Sequence, residues 1–493
     1  MELGILIFLS SGLFLGWSLG ANDAANIFGT AVGSRMVKFA TAALIGSVFV
    51  ILGAVISGGG AAHTLGKLGA VNAMGGAFTV AFAAAITVYW MTKARLPVST
   101  SQAIVGAIIG WNMFAGARTE FSTMSKILLT WVLCPVLAAI TAVLLYMGTR
   151  KVLRMASPHL LTLDSVTRLA LLAAGAFGAY SLGANNIANV MGVFIPSSPF
   201  HDISVGSLVL TGTQQLFLLG AVAIAVGIYT YSKRVMLTVG SGLMPLTPVA
   251  AWVVVMSHSI VLFLFSSEGL EHFLASNGLP TIPLVPVSSS QAVVGAVIGI
   301  GLLKGGTQLD WKVAGKIATG WVTTPAIAAL VSVFSLFVLQ NVFQQQVQHP
   351  IKYEVSEAVI EQLQGQGIPV QGLDQLTGTV FSSAKQMSRA LGKESALDKV
   401  QKELLLDYAE LHFVRVNMGK LNDRVSASFT AAQLKALKML DGRVYEHPWQ
   451  LEQDLALKSA EWQLREDLVV NKQHNKEIQT QLRILMRLFA VEE

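Results

Sequence analysis

Among 493 residues there is one cysteine, and only 13% of positions carry Asp, Glu, Lys or Arg. The thiol, Cys134, sits in an apolar run, so no disulfide framework and no cysteine-based metal site can form within one chain. A buried small hydrophobe is its expected role. An ordinary soluble domain carries roughly 25% charge, so this scarcity, with 53% hydrophobic residues and a mean hydropathy of +0.59, excludes a water-soluble globule. Also missing is a glycine-rich nucleotide-binding loop, which excludes direct use of ATP. No Ser/His/Asp arrangement stands out, and Ser99 and Ser288 have no base near them in sequence; an enzyme is not expected. The chain opens on an apolar run, but Glu2 replaces the basic residues of a secretory signal and no cleavage site follows, so the run reads as a first membrane span.

What charge there is falls unevenly. Residues 1–340 hold 16 basic and 8 acidic side chains, about 7% of positions, whereas residues 341–493 hold 18 and 20, about 25%. This predicts a membrane domain followed by a soluble one. The formal net charge of +6 therefore divides into +8 and −2, and the basicity belongs to membrane loops. No basic patch carries interleaved aromatics, so no nucleic-acid partner is expected.

Apolar stretches near 3–33, 39–57, 74–92, 98–115 and 127–147 are long enough for helices in a bilayer, which ~20 residues cross. A second series follows near 169–195, 206–230, 247–266, 288–303 and 317–339. The two series are related. Ser-Leu-Gly-Ala-Asn-Asp-Ala-Ala-Asn-Ile-Phe-Gly at 18–29 recurs at 181–192 as Ser-Leu-Gly-Ala-Asn-Asn-Ile-Ala-Asn-Val-Met-Gly, with 8 of 12 positions identical. Pro97 to Gly110, Pro-Val-Ser-Thr-Ser-Gln-Ala-Ile-Val-Gly-Ala-Ile-Ile-Gly, recurs at 286–299 with 11 of 14 identical. A third pair, Trp131-Val132 with Pro135 and Trp321-Val322 with Pro325, closes each half.

Five segments per half is an odd number, so if all cross, the second half is upside down relative to the first. Basic residues test this, because they favour the cytoplasmic side. With the Arg150, Lys151, Arg154, Arg168 connection inside, Arg35, Lys38, Lys93, Arg95, Lys233, Arg234, Lys304, Lys312 and Lys316 join it; only Lys67, Arg118 and Lys126 fall outside. The expected fold is an all-α membrane protein: an inverted-repeat helical bundle of about ten transmembrane or half-membrane segments. It comprises repeat 1 (1–148), a basic cytoplasmic linker (149–168) and repeat 2 (169–340), with a soluble, mostly helical C-terminal domain (341–493). In that domain, stretches 395–421 and 450–490, with Leu451, Leu455, Trp462, Leu468 and Leu485, read as amphipathic helices. The odd count puts it outside the cytoplasm. It could be an accessory bundle or a regulatory or dimerising module, so a homo-oligomer stays open.

The duplicated motifs are polar at the depth where polarity is expensive. Asn22, Asp23 and Asn26 interrupt the first span, and Asn185, Asn186 and Asn189 occupy the matching places. Asp23 is the one acidic residue expected in the hydrocarbon interior, where a carboxylate costs ~2.5–3.5 kcal/mol and marks an ion or substrate pathway. Carboxylate and amide oxygens suit Na⁺, while the same carboxylate could take up a proton. Ser99, Thr100, Ser101 and Gln102 follow Pro97, and Ser288, Ser289, Ser290 and Gln291 follow Pro286; both read as helix starts. Two such starts facing each other would offer unpaired N–H groups to a tetrahedral oxyanion without a buried Arg. His63 and His258 lack a metal-ligand partner at helical spacing and are expected in loop or packing roles.

At these motifs the chain resembles the inorganic phosphate transporter (PiT) family, which includes phosphate permeases and related sulfate permeases. The resemblance rests on Gly20-Ala21-Asn22-Asp23-Ala24-Ala25-Asn26, its echo at 183–189, both Pro-Val-Ser-x-Ser-Gln segments, and the run from Lys233 to Gly240. It covers residues 1–340 and nothing in the tail. It implies a multi-pass plasma (inner) membrane symporter that imports inorganic phosphate with Na⁺ or H⁺, without a cofactor beyond bound Na⁺. Asn22, Asp23, Asn26, Asn185, Asn186 and Asn189 would line the cation sites, with Na⁺ at Asp23. Ser99, Thr100, Ser101, Gln102, Ser288, Ser289, Ser290 and Gln291 would hold the anion. The family commonly carries Asp in both copies, whereas Asn186 stands in the second here, which bears on cation number and on phosphate against sulfate. A sulfate permease is the alternative, and an anion channel or membrane sensor the reading from another class.

Overall fold

The computed structural model describes residues 3–69, 71–93, 98–205, 208–239, 243–395, 397–421, 423–426, 428–466 and 471–491. Glu2, Arg95, Pro97, Gly240 and Leu468, singled out above, lie outside the described residues. The chain forms two units: Met1–Phe114, Thr119–Glu271 and Ile282–His349 make the first, and Ala115–Arg118, His272–Thr281 and Pro350–Glu493 the second.

The first unit is built from α1 (Leu3–Gly33), α2 (Phe39–Ser57), α3 (Gly59–Leu68), α4 (Met74–Lys93), α5 (Thr100–Ala115), α6 (Phe121–Ala156), α7 (Leu160–Met191), α8 (Gly212–Thr230), α9 (Ser232–Val239), α10 (Pro248–Leu264), the first residues of α11 (Glu268–Ser276), α12 (Ser289–Leu303) and α13 (Trp311–Asn341), with one hairpin, β1 (Ile203–Val205) and β2 (Leu208–Leu210), before α8. Without water to satisfy backbone groups, long apolar runs are driven to helix, which pairs every internal N–H and C=O. Polar caps start them. Thr211 and Gln214 form a reciprocal capping box at α8, Thr247 caps α10 with Pro248 in its first turn, and Asp310 accepts from Lys312 and Val313 N–H at α13.

Each of the ten expected apolar stretches holds a helix, although the described part of 206–230 opens in β2 and becomes helical from Gly212. Among the described residues seven helices are long and apolar enough to cross a membrane, or eight if α10 and α11 form one bent span. At 1.5 Å per residue, the 16 residues of α5 and 15 of α12 fall short of the ~30 Å hydrocarbon core, and both helices are almost wholly buried. Within the basic stretch 149–168, α6 runs to Ala156 and α7 begins at Leu160, leaving a break in which Ser157 takes a left-handed φ of 39°. Apolar periodicity ends at the membrane boundary, but nothing in the basic turns breaks the helix.

The two halves interlock. A Cβ on Gly20 of α1 would overlap the Ile224 carbonyl of α8, and one on Gly183 of α7 would overlap the Val50 carbonyl of α2. Thus the first span of each half packs, backbone to backbone, on the second span of the other. The short helices repeat the exchange: Gly106 of α5 abuts Pro325 in α13, and Gly295 of α12 abuts Pro135 in α6. The third sequence pair, Trp-Val with Pro, is thereby explained as the seat for each buried short helix.

The second unit carries two cores in tandem. The first holds β3 (Tyr353–Glu354), α14 (Glu357–Gly365), β4 (Val380–Phe381), α15 (Ala384–Glu394) and α16 (Lys399–Ala409). The second holds β5 (Val414–Arg415), α17 (Asp423–Ser426), α18 (Ala431–Met439), β6 (Val444–Tyr445), α19 (Pro448–Lys458) and α20 (Lys472–Phe489). The cores resemble each other. Gly378 (φ 74°) donates to the Val355 carbonyl and Gly442 (φ 81°) to that of Val416. Just beyond, Gln386 accepts from Ser382 N–H and Gln450 from Glu446 N–H. Of the stretches read as amphipathic helices, 395–421 holds α16 and then β5, and the helical residues of 450–490 are divided between α19 and α20.

Candidate functional site

The signature lies in the second half of α1 and its echo in the last turns of α7, and the short helices α5 and α12 start beside them. Asp23 is 2% exposed, and Asn185, Asn186 and Asn189 are fully or almost fully buried. Asn22 is also buried, Asn26 half-buried. The starts of the short helices are equivalent: Ser99 Oγ accepts from Gln102 N–H and Ser288 Oγ from Gln291 N–H, each at 3.2 Å. These are N-caps. They leave other first-turn N–H groups without intrahelical partners.

The signatures reach across to the helix starts. Asn26 Nδ2 donates to Ser289 Oγ (3.0 Å), and Asn189 Nδ2 donates to Ser101 Oγ (2.8 Å), so each half's signature holds the other half's start. The starts themselves meet, because Ser101 Oγ donates to the Val287 carbonyl (2.9 Å). Asn185 clamps the same residue from both sides, donating to its carbonyl at 2.8 Å and accepting from its N–H at 3.1 Å. Ser288 and Ser290 hydroxyls lie 3.1 Å apart.

The two copies are not alike in what they leave free. In the first, Asn22 Nδ2 points to Asp23 Oδ1 (3.3 Å) and Asn26 Nδ2 is used on Ser289. In the second, Asn185 is spent on Val287 and Asn186 Oδ1 accepts from Asn189 (2.8 Å), leaving Asn186 Nδ2 and Asn189 Oδ1 buried without partners. Thr100 Oγ1, Gln102 Oε1 and Gln291 Oε1 are likewise buried and unpartnered. Buried polar groups are normally paired; five orphans within this one cluster mark it as built for something other than packing.

Every residue singled out for a cation or an anion is thus in or beside one buried polar cluster. One neighbour was missed. His258, expected in a packing role, is fully buried on α10 and places Nε2 2.9 Å from Ser289 Oγ. A His between two serines in an apolar membrane helix was the available signal, overlooked because only metal-ligand spacing was sought.

A polytopic α-helical bundle in which two interlocked halves bring paired short helices to a buried polar centre is the architecture of a secondary transporter. The phosphate transporter family matches residues 19–167, 159–332 and 275–436. The chain belongs to that family. It is 28% identical, over 67% of its length and 96% of the relative's, to a Methanocaldococcus jannaschii protein provisionally named a phosphate permease. A Thermococcus kodakarensis protein with the same provisional name is 25% identical over 69% of this chain and 99% of its own. Among solved structures, one titled the sodium-dependent phosphate transporter aligns with a TM-score of 0.53 and 24% identity, covering 68% of this chain and 98% of that one; this likeness concerns the fold.

Proposed function

We propose that the chain is a secondary active symporter that carries inorganic phosphate inward across the plasma membrane together with a cation. The observation that carries the reading is the meeting of the two short-helix starts, joined through Ser101 and Val287 and flanked by the Asn-rich signatures. First-turn N–H groups and hydroxyls supply donors for a tetrahedral oxyanion. Thr100, Ser289, Gln102 and Gln291 stand where such an anion would be held, while Ser99 and Ser288 serve as caps and Ser101 and Ser290 pack between the starts. The cation is taken at the first copy, where Asp23 supplies charge and Asn22 and Asn26 supply amide oxygens. These are hard ligands suited to Na⁺, and the structural neighbour, titled a sodium-dependent phosphate transporter, favours Na⁺ over H⁺. Asn186 and Asn189 complete the wall opposite.

Co-binding follows from charge: a dianion entering a low-dielectric centre next to Asp23 is disfavoured until a cation neutralises that carboxylate. Inverted halves would then expose the centre alternately to the two sides, one bundle moving against the other. The test is uptake of labelled phosphate and, separately, labelled sulfate into proteoliposomes, each under a sodium gradient and under a pH gradient. Saturable phosphate uptake driven by Na⁺ is expected. Sulfate uptake in its place reassigns the substrate, and flux that neither saturates nor responds to a gradient refutes symport.

A further inference from the structure

We infer that His258 is a positioning residue for the anion: by donating to Ser289 it forces the Ser289 hydroxyl to serve as a hydrogen-bond donor to the substrate. The inference rests on the proposed anion site. A hydroxyl has one proton and two lone pairs. One lone pair of Ser289 Oγ takes the Asn26 amide N–H at 3.0 Å, and the remaining interaction at 2.9 Å is with His258 Nε2. Two arrangements are open. If the imidazole proton is on Nδ1, Nε2 accepts the Ser289 proton and the hydroxyl has nothing to give an anion. If the proton is on Nε2, both lone pairs of Ser289 are filled and its own O–H must donate elsewhere.

The surroundings of Nδ1 decide between them. His258 is fully buried, and its Nδ1 has no hydrogen-bond partner. A proton there would be a buried donor without an acceptor, which costs the full desolvation of that group, whereas Nε2 has an oxygen within reach. The proton therefore belongs on Nε2. The matched hydroxyl of the other half, Thr100 Oγ1, has no partner at all, so it is free to turn its proton inward. Ser101 shows the opposite outcome: its proton is already given to the Val287 carbonyl. Ser289 and Thr100 are thus the donating pair, one fixed by His258 and the other by its isolation. A donor that cannot turn around favours fully ionised oxygens, so His258 acts on affinity for the anion rather than on cation binding.

The experiment is uptake of labelled phosphate into proteoliposomes by the full-length chain and by His258→Leu, His258→Gln, Ser289→Ala and the double variant His258→Leu with Ser289→Ala. One lost donor corresponds to about a fivefold to tenfold change in apparent KM for phosphate. His258→Leu is expected to raise KM by about that much with little change in KM for the cation. His258→Gln, whose amide N–H can stand in for Nε2, should restore KM to within about twofold of the original. The double variant should be no worse than Ser289→Ala alone, as expected of residues acting through one contact. An unaltered phosphate KM in His258→Leu, a glutamine variant as impaired as the leucine one, or additive losses in the double variant would each overturn the inference. Should His258→Leu prove unable to fold, the glutamine variant compared with Ser289→Ala decides alone. The original chain is the control: if it carries neither phosphate nor sulfate, the functional reading itself falls, whereas normal uptake with an unmoved KM sinks only the role of His258.

Discussion

Side chains that look alike in the two signatures do different work. Asn22 and Asn185 occupy matching positions, yet Asn185 is locked on both polar groups of Val287 while Asn22 turns to Asp23. Charge is equally one-sided, with Asp23 opposite Asn186. Asp23→Asn is therefore expected to abolish cation-driven uptake while leaving the chain folded, since removing an unpaired buried charge does not cost stability; near-normal coupled uptake in proteoliposomes would refute the assignment. Asn186→Asp adds a second carboxylate and removes the unpartnered Asn186 Nδ2, leaving the carboxylate beside the unpartnered Asn189 Oδ1. It should raise the number of cations carried per anion, read from the reversal potential, or shift the preference between phosphate and sulfate; a variant unchanged in both would leave position 186 with a packing role only. The residues of this cluster were legible because each motif occurs twice. His258 occurs once, marked in the sequence only by its place between two serines in an apolar helix, and the fold that brings α10 to the start of α12 shows what it touches.

Helices were readable for a different reason. Apolar runs in a bilayer have few alternatives to helix, and a helix occupies each of the ten expected stretches. The ends were misjudged wherever charge was taken as the end of structure, as at 149–168, where turns of α6 and α7 continue past the apolar portion. Contacts between helices were not readable at all, since small residues permit close approach without naming the partner. The crossings at Gly20 and Gly183 are the clearest case. Gly183→Val should displace α2 from α7, with an overpacking cost of at least ~1–3 kcal/mol. A lower melting temperature and lost uptake are expected in detergent-purified chain; wild-type melting would show that the helices part easily.

Across the whole chain, the duplicated core of the second unit escaped sequence reading because its repeated positions are few and lie in turns, such as Gly378 and Gly442, rather than in a long motif. That unit also carries a pH dependence. Burial, and secondarily the Asp407 carboxylate, raise the Glu410 pKa above its ordinary value, against a smaller opposing pull from Arg118. A carboxyl whose folded pKa is raised favours folding while protonated, so this contribution is fully present below the unfolded pKa, near ~4.3, and is lost as pH rises through the folded value. Glu410→Gln should remove that slope and strengthen the unit at neutral pH. Hydrogen exchange of peptides spanning 353–416 in the full chain, between pH 4 and 8 or about that range, checks it; an equal slope in both chains would dismiss Glu410 as the source.

The reciprocal packing of α1 on α8 and of α7 on α2 bears on how the molecule is made. When the ribosome has finished residue 156, α1 can already pack on α4, but α8 and α7, on which α1 and α2 close through glycine, do not yet exist, and those tight notches face lipid. The newly inserted half must wait in the bilayer until the remainder arrives. Two separately encoded halves would therefore be expected to recover activity only when produced together, each serving as the other's mould.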